Sequence, residues 1–180
     1  MKKSFVFRPP YSGFASRLRL EVAALGLPTI LCIGSDRLTG DCLGPLVGEF
    51  LTETYNVPCF VYGTLTRTVT ALNLRQTLSF VKSRHPASPL VVIDASLGDP
   101  SDIGNIRITR GGIRPGSAGG KSFAPCGDLA LTAVVNGMPC ESLSSTRLGF
   151  VKDLSHVIAT ALASAVFSCE VKPSLPDCIA

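Results

Sequence analysis

PTILCIGSDRLTGDCLGPLVGEFL, residues 28–51, is the stretch whose reading decides the fold. A short apolar run (Ile30, Leu31, Cys32, Ile33) stops at Gly34, and a polar loop with Asp36, Arg37, Thr39 and Asp41 follows. Beyond it Leu43, Leu46, Val47, Phe50, Leu51 and Tyr55 recur at helical spacing, with Pro45 where a first helical turn tolerates a missing N–H. The pattern is strand, loop, helix. In open α/β sheets ligands bind in the crevice outside the carboxyl ends of the strands, which is where this loop falls.

The flanking sequence extends the pattern. Phe14, Leu18, Val22 and Leu25 predict an amphipathic helix over 12–25, closed by Gly26 and Pro28. Residues 57–62 predict a second strand and residues 71–84 a helix that Pro86 ends. PLVVID, residues 89–94, is continuously apolar and rich in β-branched residues, as in a strand buried on both faces. Strands separated by helices imply βαβ units, a parallel sheet and right-handed crossovers. NIRIT, residues 105–109, alternates and predicts a half-exposed strand. A loop over 110–127 with six glycines follows, long enough to suggest a functional role. A strand over 129–135 and a final helix over 146–167 complete the series. One domain over 1–180 is expected, with a core at about 12–168, a basic arm at 1–11 and a loose tail at 169–180.

Composition narrows the classes. An apolar fraction of 46% with 17% charged residues describes a globular chain. Lys2, Lys3, Arg8, Arg17 and Arg19 precede the first acid, Glu21, and read as a solvated face, so no nucleic-acid partner is assigned. Seven cysteines without a C-x-x-C pair fit a reducing compartment. MKKSFVF lacks the apolar core of a signal peptide, and no apolar run is expected to reach the roughly 18 residues of a membrane helix. A cytoplasmic protein with no membrane partner is the expectation.

Two carboxylates stand out. Asp41 lies at a helix entrance and Asp94 at the end of a predicted buried strand, so both face one crevice if those strands are neighbours. Such a pair can share a proton, the raised pKa of one member making an acid and a base at one pH, or hold a divalent metal with Asp36 as a further oxygen ligand. The plainer readings stay open: Asp41 as a helix cap and Asp94 as a turn residue. Neither His85 nor His156 accompanies a nucleophile in a recognisable motif. PGSAGGKS at 115–122 is one residue too short for a phosphate loop, although Lys121 could enter the crevice from it. Cys42 beside Asp41 reads as packing.

These residues also carry a family resemblance. IGSDRLTGDCLGPLVG at 33–48 resembles the I-G-T-D-R-x-T-G-D-x-L-G-P-x-V-G signature of the YyaC-type sporulation proteins of spore-forming Firmicutes. YGTL at 62–65, ALNL at 71–74, VVIDASLG at 91–98, IRPGSAGGK at 113–121, CGDLALTAVVN at 126–136 and STRLGFV at 145–151 follow in the family's order. The resemblance covers about residues 28–160.

The resemblance implies a three-layer α/β/α sandwich with a mostly parallel sheet, of the kind shared with the spore germination protease and the hydrogenase maturation endopeptidases. By motif, Asp41 and Asp94 match the working aspartates of the germination protease. In the hydrogenase endopeptidases acidic residues near both positions bind the nickel of the substrate, with a histidine that has no counterpart here. Where the family usually has D-A-C-L-G and P-V-H-A, this chain has Ser96 and Thr70 in place of the thiol and imidazole. Asp36, Arg37, Lys121 and Asp128 match motif positions and are expected to support the pair or bind substrate. The resemblance thus implies a sporulation-associated peptidase of the forespore or spore compartment, acting on a protein substrate with no cofactor. Two alternatives accompany it: a non-catalytic spore protein that binds a partner in the crevice, and a hydrolase dependent on nickel or zinc. A homo-oligomer is compatible with all three.

Overall fold

The computed structural model describes residues 3–115, 124–138 and 143–170. Six strands form one sheet: β1 (Ser4–Phe7), β2 (Thr29–Cys32), β3 (Val61–Tyr62), β4 (Leu90–Gly98), β5 (Ile106–Arg110) and β6 (Leu129–Gly137), in the order β1-β5-β6-β4-β2-β3. The β6-β4-β2-β3 part is parallel, and β5 and β1 continue it antiparallel. Four helices pack on it: α1 (Phe14–Leu25), α2 (Leu43–Glu49), α3 (Leu74–Arg84) and α4 (Leu148–Glu170). A tight turn over Thr39–Cys42 leads into α2, and a wider turn over Phe50–Thr54 prolongs it. The chain is an α/β domain with a mostly parallel sheet between helical layers, as the sequence implies.

The helices are shared unequally between the two faces. Phe14, Leu18 and Val22 of α1, Leu43 and Val47 of α2, and Val151, Leu154, Ile158, Leu162 and Val166 of α4 bury one face of the sheet, against Val91, Ile93, Ile106, Ile108, Leu129 and Leu131. Ser155 of α4, fully buried, donates to the Leu43 carbonyl at 3.2 Å and locks α4 to the start of α2. On the opposite face Leu74 and Val81 of α3 cover Leu31, Leu90 and Val92. Among the described residues no helix covers the rest of that face.

The stretch that opens the chain's reading folds as expected, and its glycines explain how closely. A Cβ at Gly44 would stand 2.0 Å from the Ile33 carbonyl oxygen, and one at Gly48 would stand 1.9 Å from that of Gly63. Helix α2 therefore lies backbone to backbone on the ends of β2 and β3, an approach open only to glycine.

Several expected boundaries move. The strand expected at 57–62 shrinks to Val61–Tyr62, because the Val57 N–H closes on the Leu51 carbonyl and the chain before Val61 still belongs to the helix exit. The strand ending at Asp94 instead runs to Gly98, since β6 continues beside it from Val91↔Leu129 to Gly98↔Gly137. Its apolar pattern stops early because one side of its later half faces the open part of the sheet. The basic arm contains β1, which pairs with β5 from Ser4↔Thr109 to Phe7↔Ile106. Arg17 of α1 lies 3.5 Å over the Phe5 ring and bonds Glu21, which also takes Arg110 of β5 at 2.5 Å. Burial disfavours the Glu21 charge, but the two guanidinium groups prevail and hold its carboxyl below the usual range. Helix α4 also corrects an expectation: Leu148–Cys169 is long and apolar enough to cross a membrane by length and composition, with a mean hydropathy of 1.4. Here its apolar side is taken up by α1, α2 and the sheet.

The close approach of α2 has a direct test. Gly48→Ala must push two backbones apart, and overpacking of this kind costs typically 1–3 kcal/mol. Urea unfolding is expected to show a loss of about 2 kcal/mol or more, and a loss below about 0.5 kcal/mol would contradict the contact.

Candidate functional site

The pocket lies on the open part of the sheet. Register dictates its floor: Asp94 of β4 pairs with Thr132 of β6, which pairs with Arg107 of β5. Residues paired across strands share a face, so a carboxylate, a hydroxyl and a guanidinium stand in one row. The next rows are Val92, Ala130 and Thr109 on one side and Ser96 and Val134 on the other. Thr70, Ala71 and Leu74 at the start of α3 make one wall, and Gly112 to Pro115 make another. Leu38, Asp41, Met138 and Leu143 line the mouth at the carboxyl edge of the parallel strands, and the cavity holds about 1010 Å³.

Asp41 reaches this cavity because the loop after β2 doubles back. Gly34 has φ +145°, and a Cβ there would meet the Asp41 carbonyl oxygen at 2.0 Å. The Ser35 N–H donates to that oxygen at 3.1 Å, and the Asp41 N–H donates to the Leu38 carbonyl at 2.9 Å. The helix-cap reading of Asp41 is not realised: the residues preceding the tight turn and α2 are Leu38 and Cys42, and neither makes a side-chain cap. The turn-residue reading of Asp94 fails as well, since Asp94 sits inside β4.

The electrostatics of the two acids are coupled. Burial pushes the Asp94 carboxyl up to about 8; the Asp41 charge adds to the rise and the Ala95 N–H opposes it. Burial also raises Asp41, to about 6, against partial relief from the Ser35 N–H. Between these values the pair holds one proton, in the manner of two acids in one apolar site.

The other expected residues are placed apart from the pair. Asp36 and Arg37 are exposed on the loop and do not line the cavity. The thiol of Cys42 is raised by burial and then by the Asp36 and Asp41 charges, so the Asp36 carboxylate bears on Cys42. Asp128 is a correction: its Oδ2 accepts from the Leu90 N–H at 2.8 Å, at the start of β4 and the opposite end of the sheet from Asp41. It pins β4 to the turn before β6. Lys121 lies outside the described residues. His85 bonds the Tyr62 hydroxyl at 2.8 Å and stacks on Phe60, while His156 packs on Phe50. Neither lines the cavity. Among the described residues no three His, Cys, Asp or Glu side chains converge. Asp36 therefore does not complete an oxygen set with Asp41 and Asp94, and the two carboxylates alone make a poor cage for a resident nickel or zinc ion.

Arg107, Thr109, Thr132, Asn105, Asp102 and Arg114 also line the cavity and were not among the expected site residues. The alternation of NIRIT puts Arg107 and Thr109 on the face opposite Ile106 and Ile108; the strand order is needed to show that this face is the floor.

Residues 14–161 match the family described as "Protein of unknown function (DUF1256)". The chain belongs to this family. "Uncharacterized protein YyaC" of Bacillus subtilis (strain 168) is 35% identical over 144 residues, 78% of this chain and 70% of that protein. Among solved structures, the [NiFe] hydrogenase maturation protease HycI from Thermococcus kodakarensis KOD1 is similar with a TM-score of 0.47 and 18% identity, over 79% of this chain and 96% of that one. The stretch matched to the family includes Asp41, Asp94 and the whole floor of the cavity.

The raised acids link stability to pH. A carboxyl whose folded value lies above the ordinary 3.8 binds more protons folded than unfolded, so its contribution is full below about pH 4 and falls as pH rises to about 8. Asp94→Asn removes the larger part of that loss. Its melting temperature is expected to match wild type near pH 4 and to exceed it by roughly 3 °C or more at pH 8. A difference that does not change with pH would mean that Asp94 is not held in a charge-averse site.

Proposed function

We propose that this chain is a peptidase that acts through the Asp41–Asp94 pair on a protein substrate in the spore compartment of a spore-forming cell. The observation that carries this reading is the pair itself: two coupled acids, both raised by burial, at the end of a cavity large enough for several residues of an extended peptide. The resemblance to the YyaC-type sporulation proteins supports the setting, and exposed Leu38 and Met138 at the cavity mouth suit peptide side chains.

The proton inventory assigns the roles. Near pH 7 Asp41 is the ionised member and Asp94 the protonated one. Asp41 takes a proton from a water molecule whose oxygen attacks the scissile carbonyl carbon. Asp94 gives its proton to the amide nitrogen as the C–N bond breaks, leaving a carboxylic acid and an amine. The floor of the sheet holds Asp94 by its ladder bonds, and the Gly34 turn holds Asp41 beside it. No step requires a metal.

The test incubates wild type with an extract of sporulating cells between pH 4 and 9 and reads new peptide ends by mass spectrometry. Cleavage is expected to follow a bell with limbs near 6 and 8, where the pair carries one proton. Asp41→Asn and Asp94→Asn should each lower it by about 100-fold or more, with chelators having no effect. A folded wild type that yields no new ends at any pH would overturn the peptidase reading in favour of a protein that binds a partner in the same cavity.

A further inference from the structure

The row Asp94, Thr132, Arg107 places a guanidinium on the cavity floor two strands from the acid. Two strand spacings amount to roughly 10 Å between backbones. Arg114 enters the same cavity from the wall opposite α3. Among the described residues neither arginine has an ion pair: the three that occur join Arg8 to Asp102 and both Arg17 and Arg110 to Glu21. The remaining acid in the cavity, Asp102, accepts from the Asn105 side-chain amide at 2.8 Å and lies 3.8 Å from Arg8. The polar groups nearest Arg107 along the floor, Thr132 and Thr109, are uncharged. Two permanent cations thus share a partly enclosed cavity in which the acids are protonated in part or otherwise engaged. A guanidinium presents a planar fork of donors that fits a carboxylate through two parallel bonds.

We propose that Arg107 and Arg114 form a carboxylate-binding subsite, so that the peptide taken by the Asp41–Asp94 pair carries a carboxylate one to three residues from the scissile bond. This rests on the peptidase reading for its place in the reaction, but the subsite is defined by binding alone. An extended peptide advances about 3.3 Å per residue, and the length of the arginine side chain shortens the span to be crossed. The carboxylate can come from an acidic side chain or from the free C-terminus of the substrate. Both present the same two oxygens.

The test separates these sources and keeps binding apart from cleavage. The Asp41→Asn/Asp94→Asn variant is titrated by calorimetry at pH 7 with three peptides. They are acetyl-GAAEAAG-amide, acetyl-GAAQAAG-amide and acetyl-GAAQAAG with a free C-terminus, each run at low salt and again at 0.5 M salt, where a charge-borne preference should shrink. At low salt at least one carboxylate peptide should bind about tenfold or more tightly than the neutral one, and the preference should vanish on adding Arg107→Gln. Arg107→Lys should restore it in part, because charge survives without the fork. Preference for the Glu peptide identifies a side-chain acid, and preference for the free C-terminus identifies the chain end. Equal binding of all peptides, no binding of any, or a preference that survives Arg107→Gln with Arg114→Gln would overturn the subsite. If the preference holds while wild type cleaves nothing, the subsite stands and the peptidase reading falls.

Discussion

The contact between α2 and the ends of β2 and β3 is the constraint on which the site depends. Gly44 lies against Ile33, Gly48 brings the helix onto Gly63 just after β3, and Gly63 brings that segment against Cys32 of β2; any side chain at these positions would collide with a carbonyl oxygen. Beside this contact the loop from Gly34 to Asp41 folds back, closed by the Ser35 N–H on the Asp41 carbonyl and the Asp41 N–H on the Leu38 carbonyl, and delivers Asp41 over the end of the sheet. Ser155 and Leu143 secure the other side of the same region, the first through the Leu43 carbonyl and the second against Gly40. Placement of one carboxylate thus follows from three layers of packing. None of the groups responsible is itself reactive.

Uneven cover of the sheet explains the rest. Apolar residues from α1, α2 and α4 seal one face completely, and the energy of that burial allows the opposite face to carry an ionisable residue at its centre. Asp94 is costly there. A partly desolvated carboxyl beside a second acid resists ionisation, and the structure tolerates it because the surrounding strands are fixed by ladder bonds and by the buried Glu21 link between α1 and β5. Strain of this electrostatic kind concentrates at functional positions in general.

Much of the architecture could be read from periodicity. The strand, loop and helix of residues 28–51, the buried run at 90–93 and the long final helix declared themselves because each buries a continuous apolar surface. The pair Asp41 and Asp94 was legible by position. What escaped was whatever depends on lateral order. Arg107 is visible as the polar partner in an alternating strand, but only the sequence β5-β6-β4 puts it in register with Asp94. Asp128 misled for the complementary reason: a motif position shared with relatives says nothing of which end of a sheet it occupies, and its hydrogen bond to Leu90 shows a structural pin. The strand at Ser4–Phe7 was missed and β3 was drawn too long, because edge pairing rests on backbone bonds that leave little trace in hydropathy.

Building the floor from three paired strands gives the cavity a fixed ruler. Distances across it come in whole strand spacings, and distances along it in steps of two residues, so the side chains of the floor stand on a grid. The walls obey no such metric, being made of the segment before α3 and the loop after β5. Changes in those walls can retune what fits, the position of Arg114 included, while leaving the spacing between Asp94 and Arg107 untouched. The floor thus fixes one set of spacings, and the walls leave another free to vary.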